Sequence, residues 1–164
     1  MSQTRFINPD ALSKPPGYTH VVEVTAPGRI VYIAGQLGVD RDGKVVGDFR
    51  QQVVQTFENL KAALGAVGGE FRHVVKFNNY LLDVAQLPIF REVRDSYLPE
   101  SNRPASTTIA ISGLARPGAM IEIEAVAVLP AAARSRSASK PARRRATTGR
   151  TRRAATRSSR PRTK

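Results

Sequence analysis

The sequence predicts an α+β protein, a two-layer domain with helices on one face of a sheet and the element order ββαβαββ. Three observations support this class. Five short runs rich in Val, Ile and Tyr have strand character, and two longer stretches repeat their apolar residues at helical spacing. Residues 131–164 contain no Val, Ile, Leu, Met or aromatic side chain, so we expect the domain to occupy residues 1–130.

The first two strands and the first helix have clear boundary signals. The runs HVVEV and RIVYIAGQ flank the turn residues 26–28, which predicts an antiparallel pair, and residues 41–44 predict a further tight turn. Asp48 is a candidate N-cap, and Gln51 completes a capping box. The helix then stops at residues 68–69. Its apolar positions are Val53, Val54, Phe57, Leu60, Ala63, Leu64 and Val67.

The second half of the domain repeats this alternation. Residues 73–82 predict a strand, and a second helix begins near Pro88, a favoured first-turn residue, and ends before Pro99. Residues 106–112 and 120–128 predict two further strands, joined by a turn at residues 115–118. The second helix buries Phe90, Val93, Tyr97 and Leu98. Because alternating apolar residues also face away from the helices, we expect self-association to cover the other face of the sheet.

Composition limits the possible functions. The chain contains no cysteine, so it has neither disulfides nor a thiolate zinc site. No apolar run is long enough for a membrane span or a secretion signal, so we expect a cytoplasmic protein. The two histidines, His20 and His73, have no partner at metal-ligand spacing, and we expect no metal site.

Four residues in the domain have both a structural and a functional interpretation. Gly35 follows a strand, where glycine forms a bulge or lets a ligand approach the backbone. Glu122 and Glu124 point to one face of the last strand. They are either the ordinary polar face of that strand or carboxylates that take part in a reaction. Tyr18 lies in a loop after residues 15–17, where it either packs against the domain or covers a pocket.

Taken together, the motifs PPGYTHVVEV, VYIAGQLGVD, VVKFNNYLLDV, RPASTTIAISGL and MIEIEAVAV resemble the RidA family, also called YjgF or L-PSP endoribonuclease. The similarity runs from about residue 5 to residue 129. It implies a chorismate-mutase-like fold with a mixed sheet, assembled as a homotrimer with small-molecule clefts between subunits. Archetypal members hydrolyse 2-aminoacrylate-type enamines and imines to 2-keto acids and ammonia, without a metal or organic cofactor.

The resemblance also implies site residues. The loop tyrosine of the family cleft matches Tyr18, the backbone after the second strand matches Ala34 and Gly35, and the glutamate of the last strand matches Glu122. A glutamate in this place is suited to orient or activate the attacking water. Glu122 is therefore the candidate catalytic residue.

One family position differs in this chain. The archetype reads Ala-Arg-Ser after the motif proline, and that arginine holds the substrate carboxylate. Here Ser106 takes its place and leads, with Thr108, into the strand, so the entrance contains hydroxyls but no charge. Arg91 or Arg103 is then either a displaced cation for the cleft or an ordinary surface charge.

The C-terminal segment supports a second hypothesis. Of 26 Lys and Arg residues, 13 lie in residues 134–164, which contain no acid and account for the net charge of +13. We expect this tail to be disordered and to bind DNA, RNA or another polyanion, as do the linker-histone-like extensions that it resembles. The alternative function is therefore a nucleic-acid-associated protein in which the RidA-like domain is a trimerisation scaffold. The central tail arginines are Arg143, Arg144, Arg145, Arg150, Arg152 and Arg153.

Overall fold

The computed structural model describes residues 4–26 and 28–131. The chain divides into two units, residues 1–133 and 134–164. Apart from Ala131, the predicted tail, including its arginines, lies outside the described residues. The elements are β1 (Thr4–Ile7), β2 (Val21–Val24), β3 (Arg29–Leu37), α1 (Phe49–Ala66), β4 (Val74–Leu81), α2 (Leu87–Tyr97), β5 (Ala105–Ala110) and β6 (Ile121–Leu129), with short 3₁₀ turns at Phe71–His73 and Val84–Gln86.

The main sheet has four strands in the order β3-β6-β4-β5. The pair β4–β5 is parallel and the other pairs are antiparallel, so the sheet is mixed. Both helices contribute to one core on one face of this sheet. The predicted α+β class, with helices on one face of a mixed sheet, is confirmed.

One detail of the predicted topology is wrong. The strands that flank residues 26–28 belong to different sheets, because β2 pairs with β1 whereas β3 pairs with β6. The strand β1 was not predicted from the sequence, since its four residues TRFI are too few to show a period-two pattern. The order in the structure is therefore βββαβαββ.

The core lies between the sheet and the helices. Phe57 of α1 is fully buried at its centre, and its ring contacts the rings of Phe77, Phe90 and Tyr97 at centroid distances of 6.2, 6.4 and 5.0 Å. Aromatic pairs at these distances stabilise a core beyond the area that they bury. This cluster joins α1, β4 and α2, and it thereby fixes where α2 lies against the sheet.

The helix ends follow the sequence signals. Asp48 Oδ1 accepts a hydrogen bond from the Gln51 backbone, and the Gln51 side chain accepts one from the Asp48 backbone, which confirms the capping box. At the other end Gly68 adopts φ 71°, a conformation that favours glycine. Pro88 lies in the first turn of α2, as predicted.

The face of the main sheet that carries no helix, the open sheet face, is exposed. Tyr32 is 78% exposed there, Ile30 50% and Ile109 45%. Ile30 and Tyr32 lie on the edge strand β3 and Ile109 lies on the opposite edge strand β5, so exposed apolar side chains occur at both edges of this face. Across residues 4–26 and 28–131, neither helix is long and apolar enough to cross a membrane.

Candidate functional site

The loop that carries Tyr18 is fastened to the entrance of β5. The backbone NH of Thr19 donates to the carbonyl of Pro104 at 3.2 Å, and the Thr19 hydroxyl donates to the carbonyl of Arg103 at 2.5 Å. Thr19 itself is buried. These bonds hold Tyr18 beside the first residues of β5, where its ring contacts His20 edge to face.

A cavity of about 360 Å³ lies between this loop, α2 and β5. We call it the hydroxyl pocket, because Ser106, Thr107 and Thr108 line it together with Tyr18. The sequence placed Tyr18, Ser106 and Thr108 in one cleft, and the structure brings these three residues together. Helix α2 contributes Leu87, Phe90, Arg91 and Arg94 to the same wall.

Asn79 organises the hydroxyls of this pocket. The residue is only 2% exposed, and it lies beside Thr108 in the parallel pair β4–β5. Its Nδ2 donates to Ser106 Oγ at 2.9 Å, to Thr107 O at 3.0 Å and to Thr108 Oγ1 at 3.0 Å. Sequence reasoning missed Asn79, although an asparagine among apolar strand residues is itself a signal, because buried amides need partners.

Arg94 is the second residue that sequence reasoning missed. Its side chain is 6% exposed, its Nε donates to Asp95 Oδ1 at 2.8 Å and its Nη2 lies 2.7 Å from the same oxygen. Burial lowers the pKa of Arg94, and the ion pair with Asp95 opposes that shift. The available signal was spacing, since Arg94 lies four residues after Phe90 on the predicted buried stripe of α2.

The two arginines proposed from the sequence occupy different surroundings. Arg91 is exposed and lines the hydroxyl pocket. Arg103 Nη1 lies 2.5 Å from Asp95 Oδ1, so one carboxylate oxygen is shared by Arg94 and Arg103. Arg103 faces a neighbouring cavity of about 790 Å³ on the other side of the Tyr18 loop. Of the two, only Arg91 lines the hydroxyl pocket.

Glu122 lies against an irregularity in β3. The pairing of β3 with β6 shifts register between Ile33 and Gln36, which makes a bulge at Ala34 and Gly35. A Cβ atom on Gly35 would be 1.8 Å from Glu122 Oε1, so the carboxylate occupies the space that only a glycine leaves open. The bulge interpretation of Gly35 is thereby confirmed, and the bulge places Glu122 against the backbone.

The neighbouring Glu124 has different surroundings. Its Oε2 accepts hydrogen bonds from the Tyr80 hydroxyl at 3.0 Å and from Asn78 Nδ2 at 3.3 Å. The bond to Glu124 is the main reason why the pKa of Tyr80 is raised. Among the described residues, none donates a hydrogen bond to the carboxylate of Glu122. The geometry therefore distinguishes the two glutamates, and it leaves Glu122 available to an incoming group.

The two halves of the candidate site lie on opposite faces of the main sheet. Asn79 belongs to the buried, helix-covered face, and its hydrogen bonds put the side chains of Ser106 and Thr108 on that face. Glu122 alternates with the buried Ile121 and Ile123, so it points to the open sheet face. One chain therefore keeps its carboxylate and its hydroxyl pocket apart.

The histidines are engaged in local contacts. His20 Nε2 lies 2.8 Å from the carbonyl of Ser13, and His73 Nδ1 accepts a hydrogen bond from the backbone NH of Glu70 at 3.0 Å. Within the described ranges, no three His, Cys, Asp or Glu side chains come together as metal ligands.

These features define an α+β domain with two helices on one face of a mixed sheet. Residues 10–129 match the family model described as Endoribonuclease L-PSP. The 3-aminoacrylate deaminase RutC of Acinetobacter baylyi is 36% identical over 115 residues, which are 69% of this chain and 90% of that protein. The 2-iminobutanoate/2-iminopropanoate deaminase of Dermatophagoides farinae is 31% identical over 132 residues, 79% of this chain and 99% of the relative.

Solved structures agree with the sequence comparisons. The crystal structure of a protein of unknown function of the Rid family, YyfB from Yersinia pestis, superposes with a TM-score of 0.71 at 32% identity. The match covers 77% of this chain and 98% of that one. The chain belongs to the Endoribonuclease L-PSP family, the RidA/YjgF family that its motifs resemble.

Proposed function

We propose that the protein hydrolyses the imine and enamine forms of small 2-amino acid intermediates to a 2-keto acid and ammonia. The observation that carries this proposal is the position of Glu122, whose carboxylate lies against the Gly35 backbone without a donor among the described residues. A relative named as 2-iminobutanoate/2-iminopropanoate deaminase supports the 2-imino acid class, and one named as 3-aminoacrylate deaminase supports enamine hydrolysis more broadly.

The reaction needs one general base and one water. Glu122 takes a proton from the water as its oxygen attacks C2 of the imine, the C=N electron pair moves to nitrogen, and Glu122 then passes that proton to the nitrogen. The product of this step is a carbinolamine. In the second step Glu122 takes the hydroxyl proton and passes it to the nitrogen as the C–N bond breaks, so ammonia leaves and the keto acid remains. An enamine first gains a proton at its terminal carbon and loses one from its nitrogen, which gives the same imine.

The proposal requires a second copy of the chain. Because Glu122 points to the open sheet face and Ser106 to the helix-covered face, a complete cleft forms only when these surfaces of two copies meet. The exposed Tyr32 and Ile30 on the edge strand β3 supply apolar area for that contact. A homotrimer, which closes a head-to-tail ring, meets this requirement. In such a ring Tyr18, Ser106 and Thr108 line the cleft from one subunit, while Glu122, Ala34 and Gly35 line it from its neighbour.

The proposed setting of the reaction is the cytoplasm. The chain has no cysteine, so its fold needs no oxidising compartment. The reaction as written also needs no metal or organic cofactor, because the general base and the water supply all of its proton transfers.

The test measures ammonia and keto-acid release from enzymatically generated 2-iminopropanoate. We expect Glu122→Gln to lower the rate by about a hundredfold, because a glutamine cannot accept the water proton. Glu124→Gln is the matched control, since its side chain already accepts hydrogen bonds from Tyr80 and Asn78 and a glutamine oxygen still accepts one. Equal rates for wild type and Glu122→Gln would refute the assignment.

The charge of the C-terminal segment favours a second function. Residues 134–164 contain 13 Lys and Arg and no Asp or Glu. Such a segment neutralises phosphates and releases counterions without reading sequence. We propose that it associates the protein with DNA or RNA, and that a trimer gains avidity from three copies. In the alternative version of this function, the folded domain serves only to trimerise the tails.

A further inference from the structure

The orientation of the Asn79 amide determines the polarity of the hydroxyl pocket. The carbonyl oxygen of Thr107 can only accept a hydrogen bond, so the Asn79 atom 3.0 Å from it is the NH₂ group. A flipped amide would place two oxygens against each other. The same NH₂ group faces Ser106 Oγ and Thr108 Oγ1, so its two hydrogens are shared among three acceptors. Because the amide nitrogen itself accepts no hydrogen bond, both hydroxyl oxygens act as acceptors towards Asn79.

This arrangement leaves the hydroxyl protons for the pocket. A hydroxyl carries one donor and two acceptor lone pairs, and Asn79 uses only lone pairs. In the part of the chain that the structure describes, no group accepts a hydrogen bond from the side chain of Ser106 or Thr108. Both hydroxyls can therefore donate to a ligand in the hydroxyl pocket.

The charges beside the pocket have the matching sign. Arg91 and Arg94, which we call the α2 arginine pair, line the cavity, whereas none of the described lining residues is acidic. Asp95 is the nearby carboxylate, and it pairs with both Arg94 and Arg103. The single negative charge of Asp95 is therefore shared by two guanidinium groups, and Arg91 adds a third positive charge beside the pocket. The contacts with Asp95 use Nε and Nη2 of Arg94 and leave its Nη1 for another acceptor.

We propose that the hydroxyl pocket binds the carboxylate of the substrate, with the α2 arginine pair supplying the charge and the hydroxyls of Ser106 and Thr108 donating hydrogen bonds. The inference rests on the proposed function for the class of ligand, a small 2-imino or 2-keto acid. In the family motif, the arginine that binds the substrate carboxylate lies on β5, at the position of Ser106 in this chain. Here arginines of the helix α2 take that role instead. Asn79 is a positioning residue, because it orients the hydroxyls without reaching the ligand itself.

The binding experiment uses the full chain and propanoate as the probe, with propanamide as its neutral counterpart. Titration followed by ligand-observed NMR gives the dissociation constants of the wild type, Arg91→Gln and Arg94→Gln. Arg41→Gln is the control, because it removes the same charge from an exposed turn and keeps the basic tail. We expect each substitution in the α2 arginine pair to weaken propanoate binding by about tenfold, and Arg41→Gln to leave it unchanged.

Three results would overturn the inference: no saturable propanoate binding by the wild type, equal binding of propanamide, or unchanged affinity in both α2 variants. Arg91 is exposed, so Arg91→Gln decides the matter even if the buried Arg94 proves necessary for folding. Suppose that ammonia release depends on Glu122 while propanoate binding does not depend on Arg91 or Arg94. That pair of results would reject this inference and leave the proposed function standing. Arginine-dependent binding without such release would keep the anion site and reject the hydrolase.

Discussion

The carboxylate of Glu122 occupies the space beside Gly35 in which any other residue would have its Cβ atom, since a Cβ there would be 1.8 Å from Glu122 Oε1 and 2.6 Å from its Cδ. The bulge in β3 creates this space. The position of the Glu122 carboxylate therefore depends on its own place in β6 and also on the absence of a side chain at Gly35 in β3.

We expect Gly35→Ala to displace the Glu122 carboxylate and to reduce hydrolase activity by about tenfold to a hundredfold, up to the loss expected for Glu122→Gln. The reason is steric, because the added methyl group requires Glu122 to move. Steady-state kinetics on 2-iminopropanoate measures the effect. Gly113→Ala is the control, since nothing lies within 4 Å of a Cβ at that position. Equal activity of both variants would show that the position of Glu122 does not matter.

A second glycine supports the other half of the site. Gly17 has φ 87°, and a Cβ atom there would be 2.3 Å from Arg94 Nη2. We expect Gly17→Ala to shift the Tyr18 loop and to weaken propanoate binding by about fivefold or more, because the loop and Arg94 both line the hydroxyl pocket. Gly118→Ala shares the positive φ, at 82°, but has nothing within 4 Å of its added methyl group. A comparable loss of affinity in Gly118→Ala would trace the effect to backbone strain alone.

Alkaline pH should destabilise the fold through Tyr97. Burial, helped by a 2.8 Å hydrogen bond to Glu58, raises the pKa of Tyr97 to about 12 from the ordinary value of 10.0. Between these values the folded chain holds a proton that the unfolded chain has lost, so the free energy of unfolding falls as pH rises from about 10 through about 12. Urea denaturation at several pH values in this range measures the free energy of unfolding. We expect that free energy to fall less steeply with pH in Tyr97→Phe than in the wild type. Tyr32→Phe removes an exposed hydroxyl and serves as the control.

We expect the tail to account for the affinity of the protein for nucleic acid. Deleting residues 131–164 should abolish binding to duplex DNA, and for the full chain log K should fall linearly with log salt. Fluorescence anisotropy at several salt concentrations measures both. Because the segment contains no aromatic residue, we expect no strong preference for single strands. Salt-dependent binding that survives the deletion would locate the polyanion site in the folded domain.

Much of the fold follows from local sequence signals. The α1 boundaries were predictable because Asp48, Gln51 and Gly68 each act on residues within one helical turn. The pairing of β2 with β1 was not predictable, since it joins residues about seventeen positions apart through a strand of only four residues. A turn signal between β2 and β3 marks a change of direction, but it does not determine which strands form hydrogen bonds.

The site was predictable to the extent that it resides in strand alternation and in family motifs. Alternation placed Glu122 opposite Ile121 and Ile123, and the structure agrees. Asn79 and Arg94 were missed, because their importance depends on contacts between elements. The amide matters through its bonds to β5, and the guanidinium through its burial beside Asp95.

The separation of Glu122 and Ser106 by the thickness of a sheet has a genetic consequence. In the ring proposed above, the two residues of one chain would belong to two different clefts, and each chain would contribute half of each of two active sites. Consider a mixed ring of subunits that are defective only at Glu122 and subunits that are defective only in the hydroxyl pocket. An intact cleft forms where the hydroxyl pocket of the first kind meets Glu122 of the second kind. Two alleles that are inactive alone would restore each other's activity in mixed rings.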